Sequence, residues 1–173
     1  IVSTSSAADR GLLFFPMLQL KTLSCGETLF TQPGIVHAYL EGDVVECMAT
    51  SDNVIRLGLT EKFVDLAAAC KAACYAGADS KLLETIRHRE GVVTYRFSAG
   101  GEFNLTVLSG VPKTVTLPIN HHPALLLSID AQGQLAMDSG GVCALPPGAG
   151  FYLPAATSPY LLSLSEGMVV VAH

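Results

Sequence analysis

Gly26–Phe63 reads GETLFTQPGIVHAYLEGDVVECMATSDNVIRLGLTEKF. Its apolar runs, Thr28–Thr31, Ile35–Leu40, Val44–Ala49 and Val54–Leu59, are separated by the turn formers Pro33-Gly34, Glu41-Gly42-Asp43 and Ser51-Asp52-Asn53. Extended chain repeats its side chains every second residue, so His37 and Tyr39 share a face of one run, and Val44, Glu46 and Met48 share a face of the next. Short runs punctuated this densely by Gly, Pro, Asn and Asp predict a mainly β chain, an antiparallel sandwich or barrel.

The same signal extends outward on both sides. Upstream, Leu12–Leu23 begins apolar, contains Pro16 and then alternates, which predicts a strand entered after a proline, preceded by a loose Ser- and Ala-rich entry segment, Ile1–Gly11. Downstream, from Val92 on, VTYRF, EFNLTVL, KTVTL, ALLLSID, QLAMDS, VCALPPGAGFYLP, YLLSLS and MVVVAH follow one another between Gly, Pro and Asp turns, the pattern of a double-sheet jelly roll. Between these regions the period changes. Thr60 is a fair N-cap, the AAACKAAC stretch is strongly helix-favouring, and a second short helix is expected over Ser80–Ile86 after Gly77, with Arg87–Gly91 as a polar exit.

Composition narrows the function classes. The chain has 173 residues, 50% apolar and 14% charged, with a net charge of -5, enough to bury a real core and too apolar to remain disordered. No basic cluster is longer than Arg87-His88-Arg89, so the electrostatic footprint of nucleic-acid binding is missing. The longest apolar runs fall well short of a membrane-spanning helix, and Ile1–Gly11 has no basic region followed by an apolar one, so no secretory signal is expected there. A start at Ile1 suggests processing or cleavage. Five unevenly spaced cysteines read as reduced thiols, which predicts a cytoplasmic protein, and Cys70 and Cys74, a helical turn apart, are expected to pack rather than to bind metal.

The candidates for chemistry lie in the opening stretch. His37 is of a type that ligates zinc, although a lone histidine is more often a structural residue. Glu46, in the middle of an apolar strand, must be paired, metal-bound or shifted in pKa if buried, which suits a general base; an edge-strand Glu facing water is the alternative. Asp52 and Arg56 place polar groups in a turn beside a strand, where the planar fork of Arg fits phosphate, or else form a solvated loop. Lys62 adds a second cation or is simply surface.

In their order and spacing, HAYLEGD, ECMA, SDN, R-x-G and LTEKF resemble the signature stretch of the type I phosphomannose (mannose-6-phosphate) isomerases, strongly over residues 10–66 and more weakly through the tail. The resemblance implies a cupin-superfamily fold and a zinc-dependent aldose–ketose isomerase interconverting mannose 6-phosphate and fructose 6-phosphate through a cis-enediol. It implies that His37 ligates the metal and that Tyr39, Glu46 and Asp52 line the sugar site. Arg56 and Lys62 would put positive charge near the reacting carbonyls or the phosphate; Glu46 is the first choice for the proton-moving acid and Asp52 the second.

One departure limits the match. The family takes its other zinc ligands from a Gln-x-His pair and a Glu in its N-terminal half, and no glutamine here is followed at that step by histidine. The chain thus resembles the C-terminal portion of the enzyme, expected to be inactive without an N-terminal half that supplies those ligands. On this reading residues 1–59 are the last strands of the catalytic cupin, 60–90 a helical bridge and 91–173 a second cupin-like jelly roll. The alternatives are a non-catalytic cupin-type module that binds sugar phosphates, and a structural jelly roll, which would need none of Glu46, Asp52, Arg56 and Lys62.

Overall fold

The structure, a computed structural model, describes residues 9–51, 53–75, 83–97, 101–110, 113–117, 119, 121–137, 140–155 and 159–173. The chain divides into two compact units. The first comprises Ile1–Ser24 and Leu29–Ser80; the second comprises Cys25–Thr28 and Lys81–His173.

The second unit is a two-sheet antiparallel sandwich, as the sequence predicts. Its strands are β1 (Leu83–Arg89), β2 (Val92–Phe97), β3 (Leu105–Leu108), β4 (Lys113–Thr116), β5 (Ala124–Ser128), β6 (Gln132–Met137), β7 (Val142–Leu145), β8 (Gly150–Leu153), β9 (Tyr160–Glu166) and β10 (Val169–Ala172). One sheet has the order β1-β2-β3-β10-β5-β8 and the other β4-β9-β6-β7. Alternation decides which side chains go between them: β5 buries Ala124, Leu126 and Ser128 and exposes Leu125 and Leu127. Leu108, Leu126, Leu145, Leu162, Val169 and Val171 are at most 2% exposed and form the centre of the core. Burying a side chain of this size stabilises by about 1.5–3 kcal/mol, so these positions supply much of the cohesion.

Val169, Val170 and Val171 are all buried, against the usual alternation, because the outer face of the six-stranded sheet is covered as well. Tyr95, Val107 and Val170 cluster there, and the Tyr95 hydroxyl donates to the Gly26 carbonyl at 2.7 Å, fixing Cys25–Thr28 to the sheet.

Several expected elements differ. Ser80–Ile86 does not form a helix over its described part: Leu83–Arg89 is strand β1, with Thr85 opposite Tyr95 and Ile86 opposite Thr94. The helix-favouring Leu and Glu yield there to ladder pairing with β2, and Arg87–Arg89 belongs to the strand rather than to a polar exit.

In the first unit, Leu12–Leu23 does not extend into a strand. Arg10–Met17 is a 3-10 helix started by Asp9, whose carboxylate accepts from Gly11 N at 2.7 Å and from Leu59 N at 2.8 Å. The longer helix predicted from Thr60 shortens to α1 (Leu66–Ala72), capped by Asp65, whose Oδ1 accepts from Ala68 N at 2.9 Å; the Thr60 hydroxyl accepts instead from Lys62 N. α1 stops because the next donor is taken elsewhere. Cys74 N donates to the Gly34 carbonyl at 2.8 Å, and the Cys70 carbonyl accepts from the Tyr75 hydroxyl.

The runs Thr28–Thr31, Ile35–Leu40, Val44–Ala49 and Val54–Leu59 carry no ladder, and among the described residues no strand forms before Leu83. Strand propensity is realised through ladder pairing with a neighbour, and these runs have none, so Tyr39, Val44 and Met48 remain 57–59% exposed.

Candidate functional site

The turn that presents His37 is built from Gln32-Pro33-Gly34-Ile35. Ile35 N donates to the Gln32 carbonyl at 3.1 Å, with Pro33 at the second position and Gly34 at the third with φ +83, the arrangement of a type II turn. From this turn the Ile35 carbonyl reaches forward and accepts from His37 Nδ1 at 2.8 Å. A carbonyl oxygen has no proton to give, so Nδ1 carries a hydrogen, and in the neutral ring Nε2 presents its lone pair.

Tyr39 packs edge-on against His37, with ring centroids 6.0 Å apart and planes at 65°. Its hydroxyl donates to Glu46 Oε1 at 2.8 Å across the Glu41-Gly42-Asp43 turn. Three of the candidates therefore form one cluster, His37–Tyr39–Glu46. Partial burial first, then the hydrogen bond to Glu46 and the negative charge of Glu46, push the Tyr39 phenol above its ordinary value. Glu46 itself is exposed, not buried as its place in an apolar run suggests, because no second sheet covers that run.

The other candidates stand apart. Arg56 and Lys62 are exposed, and among the described residues no hydrogen bond or ion pair joins either side chain to the cluster. Asp52 lies outside the described residues. Sequence reasoning missed Asp9, which ties the start of the first unit to Leu59, and Gly34, which ties the His37 turn to the end of α1. An Asp just ahead of an apolar run is a cap signature and marks the former; nothing local marks the latter.

His37 has the features of a metal ligand in one respect. Ligating histidines commonly donate their second ring N–H to a carbonyl, which fixes the tautomer and the ring. A zinc site needs three or four donors, however, and no group of three His, Cys, Asp or Glu suited to a metal occurs among the described residues. These residues do not make a zinc site by themselves.

No family model matches the chain. The mannose-6-phosphate isomerase of Schizosaccharomyces pombe is 34% identical over 175 residues, covering 94% of this chain and 41% of that protein. The chain is a relative of the mannose-6-phosphate isomerases. The enzyme of that name from Pan troglodytes is 36% identical over 141 residues, covering 80% of this chain and 32% of its own length. The chain thus spans well under half the length of the mannose-6-phosphate isomerases it matches.

Solved structures agree on the fold. The Salmonella typhimurium mannose 6-phosphate isomerase bound to fructose 6-phosphate and zinc superposes with a TM-score of 0.53 at 21% identity, over 72% of this chain and 31% of that one. A single-residue variant of the same phosphomannose isomerase gives a TM-score of 0.57 at 19% identity, over 72% and 32%.

Proposed function

We propose that the chain is part of a zinc-dependent aldose–ketose isomerase that interconverts mannose 6-phosphate and fructose 6-phosphate, its catalytic cupin completed by polypeptide corresponding to the enzyme's N-terminal half. The observation that carries this is the 34% identity to the fission-yeast enzyme over 94% of the chain. In this reading His37, with Nε2 free, is the one metal ligand the chain contributes, and the remaining ligands come from the complementing part.

Isomerisation between C1 and C2 needs a base that takes the proton from one carbon and returns it to the other. Glu46 is assigned that role: the Tyr39 hydroxyl on Oε1 orients the carboxylate, whose other oxygen would act on the sugar. Asp52 is the second choice. Arg56 and Lys62 are assigned to the negative charge of the substrate, Arg56 near the reacting oxygens and Lys62 at the phosphate. No helix among the described residues is long and apolar enough to cross a membrane, and free cysteines suit a reducing, cytoplasmic setting.

The test is a chimera in which this chain replaces the matching segment of the fission-yeast enzyme. The chimera should hold about one zinc and isomerise mannose 6-phosphate, and His37→Ala should abolish both. Full turnover by the isolated chain without metal would overturn the proposal. Tight fructose 6-phosphate binding by the isolated chain, with an inactive chimera, would instead favour a non-catalytic sugar-phosphate module.

A further inference from the structure

A line of polar side chains crosses the six-stranded sheet on the face that meets the core. His88 Nε2 lies 2.8 Å from Thr94 Oγ1, Thr94 Oγ1 lies 2.7 Å from Thr106 Oγ1, and Thr106 Oγ1 lies 2.9 Å from His173 Nε2. The four residues come from β1, β2, β3 and the residue just past β10, the order in which those strands lie side by side. Thr94 and Thr106 are direct cross-strand partners, 3% and 0% exposed, and with Ser128 they are the buried polar side chains among the described residues. The two ends are anchored differently. His173 is fixed by paired backbone hydrogen bonds with Asn104, whereas His88 sits at the irregularity between Arg87 and Arg89, on the wall of an open cavity of about 320 Å³ that it shares with Arg89, Val92 and Thr114–Thr116.

Counting hydrogens limits what this line can hold. It has three links, and the two hydroxyls supply two hydrogens. If neither Nε2 carries a proton, one link is left with two acceptors facing each other. If one Nε2 donates, three hydrogens fill three links in a single direction and the other Nε2 accepts. If both donate, as two imidazolium rings must, four hydrogens compete for three links, and one threonine hydroxyl is left without a partner in the line where no water reaches Thr106.

We propose that His88, Thr94, Thr106 and His173 form a proton-limited latch, closed when one imidazole donates and the other accepts, and opened by a second imidazolium. The charged groups around it act in the same direction. Burial, then Arg96 on β2 and His88 on β1, hold the His173 imidazole below the usual histidine value. Glu84 is in register opposite Arg96, and the β5 residue opposite Ala172 is the apolar Leu125. Neutral His173 is the form that the folded state favours, so its contribution to stability is present above the ordinary histidine range and is lost as pH falls below it. The cavity beside His88 gives protons their route to the line. The latch belongs to the second unit and does not depend on the isomerase reading.

Imidazole nitrogen NMR of the full chain, labelled at histidine, tests this. Above the histidine range, one of His88 and His173 should carry its proton on Nε2 and the other on Nδ1, each fixed. Thr106→Val should release the tautomers, giving averaged signals for His173, while Thr106→Ser should restore the fixed pair. If the valine variant does not fold, Thr94→Val against Thr94→Ser asks the same question. A wild-type chain with Nε2 protonated on both rings, or fixed opposite tautomers that persist in the valine variant, would overturn the proposal.

Discussion

Gly34→Ala should loosen the turn that carries His37, and the structure sets the size of the effect. Gly34 has φ +83, in the left-handed region where a Cβ costs about 1–2 kcal/mol. That Cβ would lie 2.6 Å from the Ala72 carbonyl oxygen and 3.2 Å from Cys74 N, inside contact distance of backbone that cannot rotate away. The turn must therefore retreat from the end of α1 and give up the Cys74 N to Gly34 O hydrogen bond, a net loss of about 1 kcal/mol. The sum is about 2–3 kcal/mol of local stability. Hydrogen exchange of the Cys74 amide reads it directly, because an opening easier by that amount exchanges roughly 30- to 150-fold faster at about 1.4 kcal/mol per tenfold. Unchanged protection of Cys74 with alanine in place would refute the reasoning, since it would mean that neither the turn conformation nor the close approach constrains this segment.

Two further perturbations follow from the packing and from the cluster. Leu162→Ala removes a side chain with no exposed surface from the middle of β9 and should cost about 2–5 kcal/mol, read as a lowered urea midpoint with unchanged slope. Glu46→Gln keeps a hydrogen-bond acceptor but removes the charge, so the Tyr39 phenol should titrate at lower pH than in the wild type while remaining above its ordinary value through burial; the phenolate absorbance checks this, and an unmoved midpoint would dissociate Glu46 from Tyr39. The raised phenol is an acid favoured in its neutral form. Its contribution to stability is present below pH 10 and is lost as pH rises through the folded midpoint.

The second unit was legible because its strands carry their own evidence of two layers. In Ala124–Ser128 the alternation of buried and exposed positions is written in the residues, and the Gly and Pro turns fix where each run ends. Leu83–Arg89 reads as helix because Leu and Glu favour that state, and what decides it instead is the ladder to β2, which folds straight back through the turn at 90–91 and which helix propensity does not register. The short α1 has the same kind of cause: the donor that would extend it belongs to Cys74, and Gly34, forty residues earlier, claims it. His37 and Tyr39 meet edge-on although their run forms no strand, and the bond from Tyr39 to Glu46 spans a turn whose closure no periodicity describes. The line from His88 to His173 was missed entirely; each residue is unremarkable alone, and register brings them together.

The first unit shows why strand-like sequence and strand are different things. Alternation states that one face of a segment seeks cover, whereas a ladder also requires a neighbour with free N–H and C=O groups at the right register. Ile35–Leu40 and Val44–Ala49 meet the first condition and not the second, so Tyr39, Leu40, Val44, Val45 and Met48 stay exposed. The His37–Tyr39–Glu46 cluster forms nonetheless, because its restraints are short-range: a type II turn, the Ile35 carbonyl on Nδ1, and one hydroxyl on a carboxylate. Its geometry thus draws on turn chemistry and hydrogen bonds, which contribute about 1 kcal/mol each, rather than on burial. Gly34→Ala and Leu162→Ala consequently probe different sources of cohesion. Raising denaturant should weaken the Cys74 bond gradually through local opening and the Leu162 core in one cooperative step; a single shared transition for both would show that the turn draws its order from the packed core and not from its own bonds.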